Sequence, residues 1–375
     1  MSLLTRNILT RMIVNFVILF SLLFILGSMI DLIVNLEEFD KAASRLSEGG
    51  GIFARFYAIV RVGFDFEGPR VFQVYAYFHG LIAIGAMGFT ATQMWKTREF
   101  VAIMAAGISL RRVAMPFIVV TLGISFVALL NQEYLLPRVA PLLLRSHGDI
   151  GNASATSFFV PFTPDRNNTL LIARSLDPKS GELLEPSFLF RDDEGRMTRR
   201  VYADKAAWDE THKGWELEGG ESVDIATEDD VGTGDLGGTP DRVSFFETDL
   251  SPHLLTLHRY GQFLGMLGMS QLNEMLSSVG TFDRGLLRRH WYARFATVAA
   301  NVLVMLIVIP YFVTRDQISL VRQSVQCVGF AITILFGGSL VMMIPMAGIP
   351  AIVSVFLPVI ILLPIGLIRM TTLQT

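Results

Sequence analysis

The sequence predicts an α-helical membrane protein with six transmembrane helices, arranged three and three, and an all-β domain inserted between the third and the fourth. Three observations carry this. The 375 residues are 51% hydrophobic and 17% charged, with a mean hydropathy of +0.48, outside the range of soluble domains. Six stretches stay apolar over about 20 residues, the length that crosses a hydrocarbon core. Between the third and fourth, hydropathy falls and short runs of alternating apolar and polar residues recur between turn signals. The formal net charge of −3 gives no basic field for nucleic acid. The sole cysteine, Cys327, lies in an apolar stretch and forms no disulfide within the chain.

Residues 1–11 carry Arg6 and Arg11 and no acid, which places them in the cytoplasm by the positive-inside tendency. Residues 12–34 form the first span. Its apolar run is too long, and too poor in small residues near its end, for a cleavable signal. Asp31, at its far end, either snorkels to the interface or marks a buried site. Residues 36–69 are then outside. They hold Glu37, Glu38 and Asp40, a Gly49-Gly50-Gly51 break and an amphipathic helix over 52–62, expected on the membrane surface with Arg55 and Arg61 among Phe53, Phe56, Tyr57 and Ile59. Residues 71–94 return as the second span. Gly80, Gly85 and Gly88 allow close helix contact there, and His79 is expected to pack neutral.

The connection to the third span, WKTREFVAIMAAGISLRRVAMP over 95–116, organises the rest. A helix is expected over 98–106, with Gly107 as C-cap and Ser109 as N-cap of the span that follows. Lys96, Arg98, Arg111 and Arg112 against Glu99 alone place it in the cytoplasm. Phe100, Val101, Ile103 and Met104 make it too apolar to stand free in water. It is either taken into the groove of a soluble partner or laid in the membrane interface.

The third span, 113–130, exits on the opposite side, so the polar region that follows lies away from the cytosol. Period-two runs at 157–162, 169–174, 183–190, 199–208, 214–223 and 243–250 predict a β-sandwich or jelly roll. The acidic, Gly-rich loop 228–241 lacks the ligand spacing of a calcium loop and is expected to be solvated. His253 and His258 do not make a metal site by themselves. A short amphipathic helix is expected over 264–280. Arg284, Arg288, Arg289, His290 and Arg294 then lead into the fourth span, 291–313. Such a cluster at the outer boundary either meets acidic lipid headgroups or is a charged flank without a ligand. Arg315, Asp316 and Arg322 form an inner turn, 323–345 is the fifth span, and 351–368 is the sixth, interrupted by Pro358 and Pro364, with Arg369 inside. The expected domains are residues 1–136 with a cytoplasmic helix at 96–107, the β domain and return segment at 137–280, and residues 281–375.

No G-x-x-x-x-G-K-[ST], H-E-x-x-H, G-x-S-x-G or C-x-x-C occurs. The spans contain no paired carboxylates of a proton relay. The chain therefore reads as a transport or scaffold subunit, not an enzyme. Energy for transport has to come from a partner docked on 95–116.

Four stretches, in this order and topology, resemble the permease subunits of the lipopolysaccharide export transporter. They are the run from Arg98 to Ser109, Glu133-Tyr134-Leu135-Leu136-Pro137, the hairpin Ala206-Ala207-Trp208-Asp209 with Gly214-Trp215-Glu216-Leu217, and Gly348-Ile349-Pro350 with Leu357-Pro358. The resemblance spans nearly the whole chain. It implies a bacterial inner-membrane protein with both termini cytoplasmic and a periplasmic jelly roll. It implies a pair with a second, related permease, a cytosolic ABC ATPase dimer that holds ATP and Mg, and periplasmic jelly-roll bridge proteins. This chain would bind no cofactor itself. Lipopolysaccharide would enter a cavity enclosed by the first, second and fifth spans and open sideways to the outer leaflet of the inner membrane.

The resemblance makes Arg98, Glu99, Phe100, Ile103, Met104 and Gly107 the candidate ATPase-coupling residues. Where family members carry a basic residue near the outer end of the first span, this chain has Asp31. Asp31, Arg284, Arg288, Arg289 and Arg294 are therefore the candidate lipid-contacting residues. The alternatives are a non-transporting envelope scaffold whose β domain recruits a partner, and an exporter of a different lipid.

Overall fold

Among the described residues, six helical runs are long and apolar enough to cross a membrane: Leu3–Val34, Arg70–Lys96, Leu110–Leu143, Arg284–Phe312, Val325–Met343 and Ala351–Thr371. The computed structural model describes residues 3–46, 51–143, 157–224, 240–261, 264–277, 283–313 and 320–371, apart from positions 166, 168, 179, 193 and 347. The acidic loop expected at 228–241 lies outside them up to residue 239, as do Arg315 and Asp316. The chain divides into two compact units, Met1–Leu143 with Arg284–Thr375, and Leu144–Asp283.

In the first unit, α1 (Leu3–Val34) begins well before the apolar run, because the leader 3–11 contains no helix breaker. The helices α2 (Leu36–Leu46) and α3 (Ile52–Glu67) fold into a hairpin. Phe39, Ala42 and Ala43 are buried on one side of it and Ala58, Val62 and Phe66 on the other, with the Phe39 and Phe66 rings edge to face at 5.7 Å. Next come α4 (Arg70–Lys96), the short α5 (Glu99–Ala105) and α6 (Leu110–Leu130).

The expected end of the third span at residue 130 is passed. A widened π-turn, Asn131–Leu135, carries the helix into α7 (Leu136–Leu143). The wide turn ends two residues before Pro137, whose ring cannot follow a regular α-turn without meeting the carbonyl four residues back. After the second unit come α10 (Arg284–Phe312), α11 (Leu320–Met343) and α12 (Ala351–Thr371). One apolar core joins Met12 and Phe16, Met87 and Met94, Phe100 and Ile103, Phe117, Val304 and Val308, Ala331 and Leu362.

A polar knot crosses this core. His79 Nδ1–H donates to the backbone carbonyls of Tyr75 and Ala76, both at 3.1 Å, and its Nε2 accepts from Asn301 Nδ2 at 2.9 Å. Both ring nitrogens are satisfied in one tautomer.

In the second unit the strands are β1 (Phe158–Pro164), β2 (Leu170–Asp177), β3 (Glu182–Arg191), β4 (Met197–Tyr202), β5 (Lys205–Asp209), β6 (Gly214–Glu218), β7 (Glu221–Asp224), β8 (Asp241–Arg242) and β9 (Phe245–Glu247). They form one antiparallel sheet that forks at β3. One edge of β3 pairs with β2. Along the other, Glu182–Leu184 pairs with β5 and Ser187–Arg191 with β4. The fork sits at Glu185, which takes φ 50 just before Pro186.

For the same reason the runs expected at 199–208 and 214–223 each resolve into two strands, broken at Ala203-Asp204 and at Gly219-Gly220. Gly219 has φ +69, and Asp204 N–H bonds the Glu218 carbonyl across the corner at 3.1 Å. The two branches curl over one core of Phe188, Val201, Trp215, Phe246 and Leu255. Helix α8 (Pro252–Gly261) was not expected from the sequence. The helix expected over 264–280 appears as α9 (Met269–Ser277), after a single 3-10 turn at Leu264–Met266.

Candidate functional site

The corner between α4 and α6 is built by three backbone devices. Arg98 takes φ 58, a left-handed conformation that costs about 1–2 kcal/mol outside glycine and turns α4 sharply into α5. At the far end of α5, Gly107 takes φ +72. Its N–H bonds Met104 O at 3.0 Å, while Ile108 N–H reaches Ile103 O at 3.2 Å. This is the Schellman closure that the Gly107 cap predicts. Ser109 begins α6 in extended conformation, but its hydroxyl makes no cap bond.

Side chains then lock α5 in place. Phe100 and Ile103 are buried in the helical core, and the Phe100 ring lies 5.2 Å from Trp95. Trp95 Nε1–H donates to the Phe312 carbonyl at 2.7 Å, satisfying an orphan acceptor in the last turn of α10. Arg11, on α1, donates to both oxygens of Glu99 at 2.7 and 3.0 Å, and Thr97 Oγ1 donates to Glu99 Oε1 at 2.9 Å. Glu99 also sits in the first turn of α5, where a carboxylate complements the helix dipole.

The six coupling candidates therefore separate. Phe100 and Ile103 point into this chain's own core, so the expectation that they lie open to a partner's groove is corrected. Met104 is half-buried, Glu99 is partly accessible, and Arg98, Val101, Ala102, Ala105 and Gly107 are exposed. The local sequence marks Arg11 only as a topological charge. Its pairing with a residue 88 positions away is invisible to local pattern.

Directly beside this corner is a cavity of about 360 Å³. It is lined by Leu19 of α1, Ile84, Gly85, Gly88 and Phe89 of α4, and Cys327 and Val328 of α11. Thr92, Gln93 and Lys96 line its α5 end. Phe312 closes it from α10, so close to Gly88 that a Cβ on that glycine would lie 3.1 Å from the ring. The walls are almost wholly apolar and the α5 end carries one cation.

The lipid-contact candidates are redistributed as well. Arg289 is 6% exposed and donates to the Ile344 carbonyl and Ser354 Oγ, both at 2.8 Å, joining α10 to the end of α11 and the start of α12. Arg294 is 6% exposed and pairs with Glu133, in the π-turn, at 3.1 Å. These two are internal ties, and the expectation that they face headgroups is corrected. Arg284 and Arg288 are exposed.

Asp31 is half-buried. It pairs with Arg70 at 3.0 Å, and Arg70 also holds Glu67 at 2.6 Å. Burial pushes the Glu67 carboxyl above its ordinary pKa. Arg70 opposes that shift, and the neighbouring Asp31 adds to it. In the π-turn, Asn131 donates to the Phe72 carbonyl at 2.8 Å and leaves its own Oδ1 buried without a partner. Among the described residues, no group of three or more His, Cys, Asp and Glu side chains is placed to hold a metal ion.

Residues 78–372 match the sequence model of the family described as lipopolysaccharide export system permease LptF/LptG. No curated protein matches the chain.

Proposed function

The chain belongs to the lipopolysaccharide export system permease LptF/LptG family, and from that premise we propose that it is the membrane half of an ATP-driven machine that extracts lipopolysaccharide from the inner membrane. In this reading α5 docks on a cytosolic ABC ATPase dimer, which binds ATP and Mg. A second, related permease completes the pair. The β unit is a periplasmic jelly roll that hands lipid to bridge proteins of like fold. Both termini are cytoplasmic. The basic residues Lys96, Arg98, Arg111 and Arg112 at the helix ends around α5, with Arg11 held against it, support that orientation.

The observation that carries the proposal is the joint placement of α5 and the cavity. The helix is clamped to α1 through Arg11–Glu99, to α4 through Trp95–Phe100, and through Trp95 to the end of α10. Helices α1, α4 and α11, the first, second and fifth spans, wall the cavity. A push on the exposed face of α5, at Arg98, Val101, Ala102 and Ala105, is thereby a push on the cavity walls. Tightly packed helices transmit such a displacement as rigid bodies, and the ATPase shifts the open and collapsed populations only by binding them differently.

Glu99 has two tasks in this scheme, pairing with Arg11 and meeting the ATPase, and a charge swap separates them. Glu99→Lys sets two cations together and is expected to lose both ATPase co-purification and lipid-stimulated hydrolysis. The double variant Arg11→Glu/Glu99→Arg restores the internal pair but not the charge shown to the partner. Recovery of ATPase binding in the double variant assigns Glu99 to the internal clamp. Continued loss assigns it to docking. Intact co-purification in Glu99→Lys itself removes α5 as the docking site. Purification from native membranes that recovers neither an ATPase nor lipopolysaccharide supports the scaffold reading instead.

A further inference from the structure

Helix α3 bears a surface that the transport scheme does not use. Ala58, Val62 and Phe66 are buried on its α2 side, and Arg55 is paired there with Asp40 of α2. On the opposite side Phe53, Phe56, Tyr57, Val60 and Phe64 recur at i, i+3, i+4, i+7 and i+11, the spacing of one helical stripe. All five are exposed, Phe53 at 91% and Phe64 at 75%, and no charge interrupts them. A stripe of four aromatic rings and a valine is more apolar surface than a two-helix hairpin leaves in water without a purpose.

The direction in which the stripe faces is fixed by a clasp at the base of α3. Ser28 donates to Glu67 at 3.0 Å, Arg70 bridges Glu67 and Asp31, and its guanidinium lies 4.3 Å over the Phe66 ring. Gly63 faces α1, and a Cβ there would make ordinary contact with Leu32 Cδ1 at 3.5 Å. The last turns of α3 thus run beside residues 28–32 of α1. At that level Met29, Ile30, Ile33 and Val34 are exposed and apolar. At the end of a membrane span, exposed apolar side chains such as these lie at the depth of the lipid boundary, and the α3 stripe continues them at that level. Phenyl rings with one phenol suit the boundary between headgroups and acyl chains.

We propose that α3 is an interfacial anchor, whose stripe inserts among phospholipids at the membrane boundary where α1 ends and α4 begins. Its occupant is a lipid surface. The family match starts at residue 78, after the whole hairpin, so family membership does not supply this surface. The anchor ties the ends of α1 and α4, two walls of the cavity, to the plane of the bilayer.

The test uses the full chain in a Cys327→Ala background, in vesicles of phosphatidylcholine and phosphatidylglycerol. An environment-sensitive fluorophore is placed at Phe56→Cys on the stripe or at Ala54→Cys, exposed off it. The label at 56 is expected to be quenched by lipids spin-labelled high on the acyl chain. Aqueous iodide should quench it at least about fivefold less than the label at 54. Equal iodide quenching at the two positions overturns the proposal. Protection at 56 that needs added partner subunits, and is absent in lipid alone, also overturns it and assigns the stripe to a protein. A second variant, Phe53→Ser/Phe56→Ser/Tyr57→Ser with the label at Val60→Cys, leaves the Ala58, Val62 and Phe66 face and the clasp intact. Loss of lipid quenching at 60 with unchanged helicity supports the stripe as the anchor, and retained quenching contradicts it.

Discussion

At Gly80 a Cβ would lie 2.4 Å from Asn301 Oδ1, so the second and fourth spans meet there through a bare backbone. Gly80→Ala forces the amide away from His79 and Ser125. It is expected to lower stability by about 1–3 kcal/mol, read as a drop in Tm of the purified protein in detergent. A different kind of residue-level control operates on the β5–β6 turn. The Asp209 carboxylate beside His212 raises that imidazole's pKa, and the same pair lowers the pKa of Asp209. For His212 the folded value lies above the unfolded one. Its stabilisation is therefore full below about 6.5 and is lost as pH rises through the raised folded value. For Asp209 the sign reverses, and its stabilisation is lost as pH falls through the lowered carboxylate value. NMR titration of His212 in the full chain should show the raised value, and Asp209→Asn should return it to the ordinary range. An unchanged titration in Asp209→Asn would mean that the pair does not form in solution.

The arginines at the start of α10 divide by burial. Four of them look alike in the sequence, and the structure puts them to two uses. Arg289 satisfies the carbonyl at the end of α11, and Arg294 compensates Glu133 in the π-turn. Arg294→Met is expected to lower stability by about 1–3 kcal/mol, because it removes a charged hydrogen bond from a partly buried carboxylate, and the loss should appear in detergent unfolding. Arg284→Gln/Arg288→Gln should leave Tm within about 1 °C, as exposed substitutions away from packed features do, and should weaken crosslinking of lipopolysaccharide to the complex. Equal Tm losses in the two variants would refute this division. The same scale explains α5. A seven-residue helix has little stability of its own, and it persists because Phe100 and Ile103 are buried and Glu99 is held by Arg11.

Seen whole, the helical unit leaves a large apolar area on its outside, and α1 most of all. Val17, Ile18, Leu22, Ile25, Leu26 and Met29 are exposed in succession, which suits lipid or a neighbouring subunit and not water. The sequence by itself determined six apolar segments of membrane length, the alternating strands between the third and fourth, and the caps that bound α5. These are properties of composition, period and single special residues such as Gly107, and they act locally. Charge bias likewise supplies the orientation we propose without any contact map. Only the tertiary structure decided which charges are free. Arg289, Arg294 and Asp31 read as surface groups because a linear pattern shows their sign but not their partners, which lie 39 to 161 residues away. Only the tertiary structure turned Phe100 and Ile103 inward, split the long alternating runs at Asp204 and Gly219, and opened a cavity where α1, α4 and α11 fail to fill the space between them. The physical reason is the same in each case. Period and propensity are summed along the chain, whereas burial and ion pairing depend on which distant side chain arrives opposite.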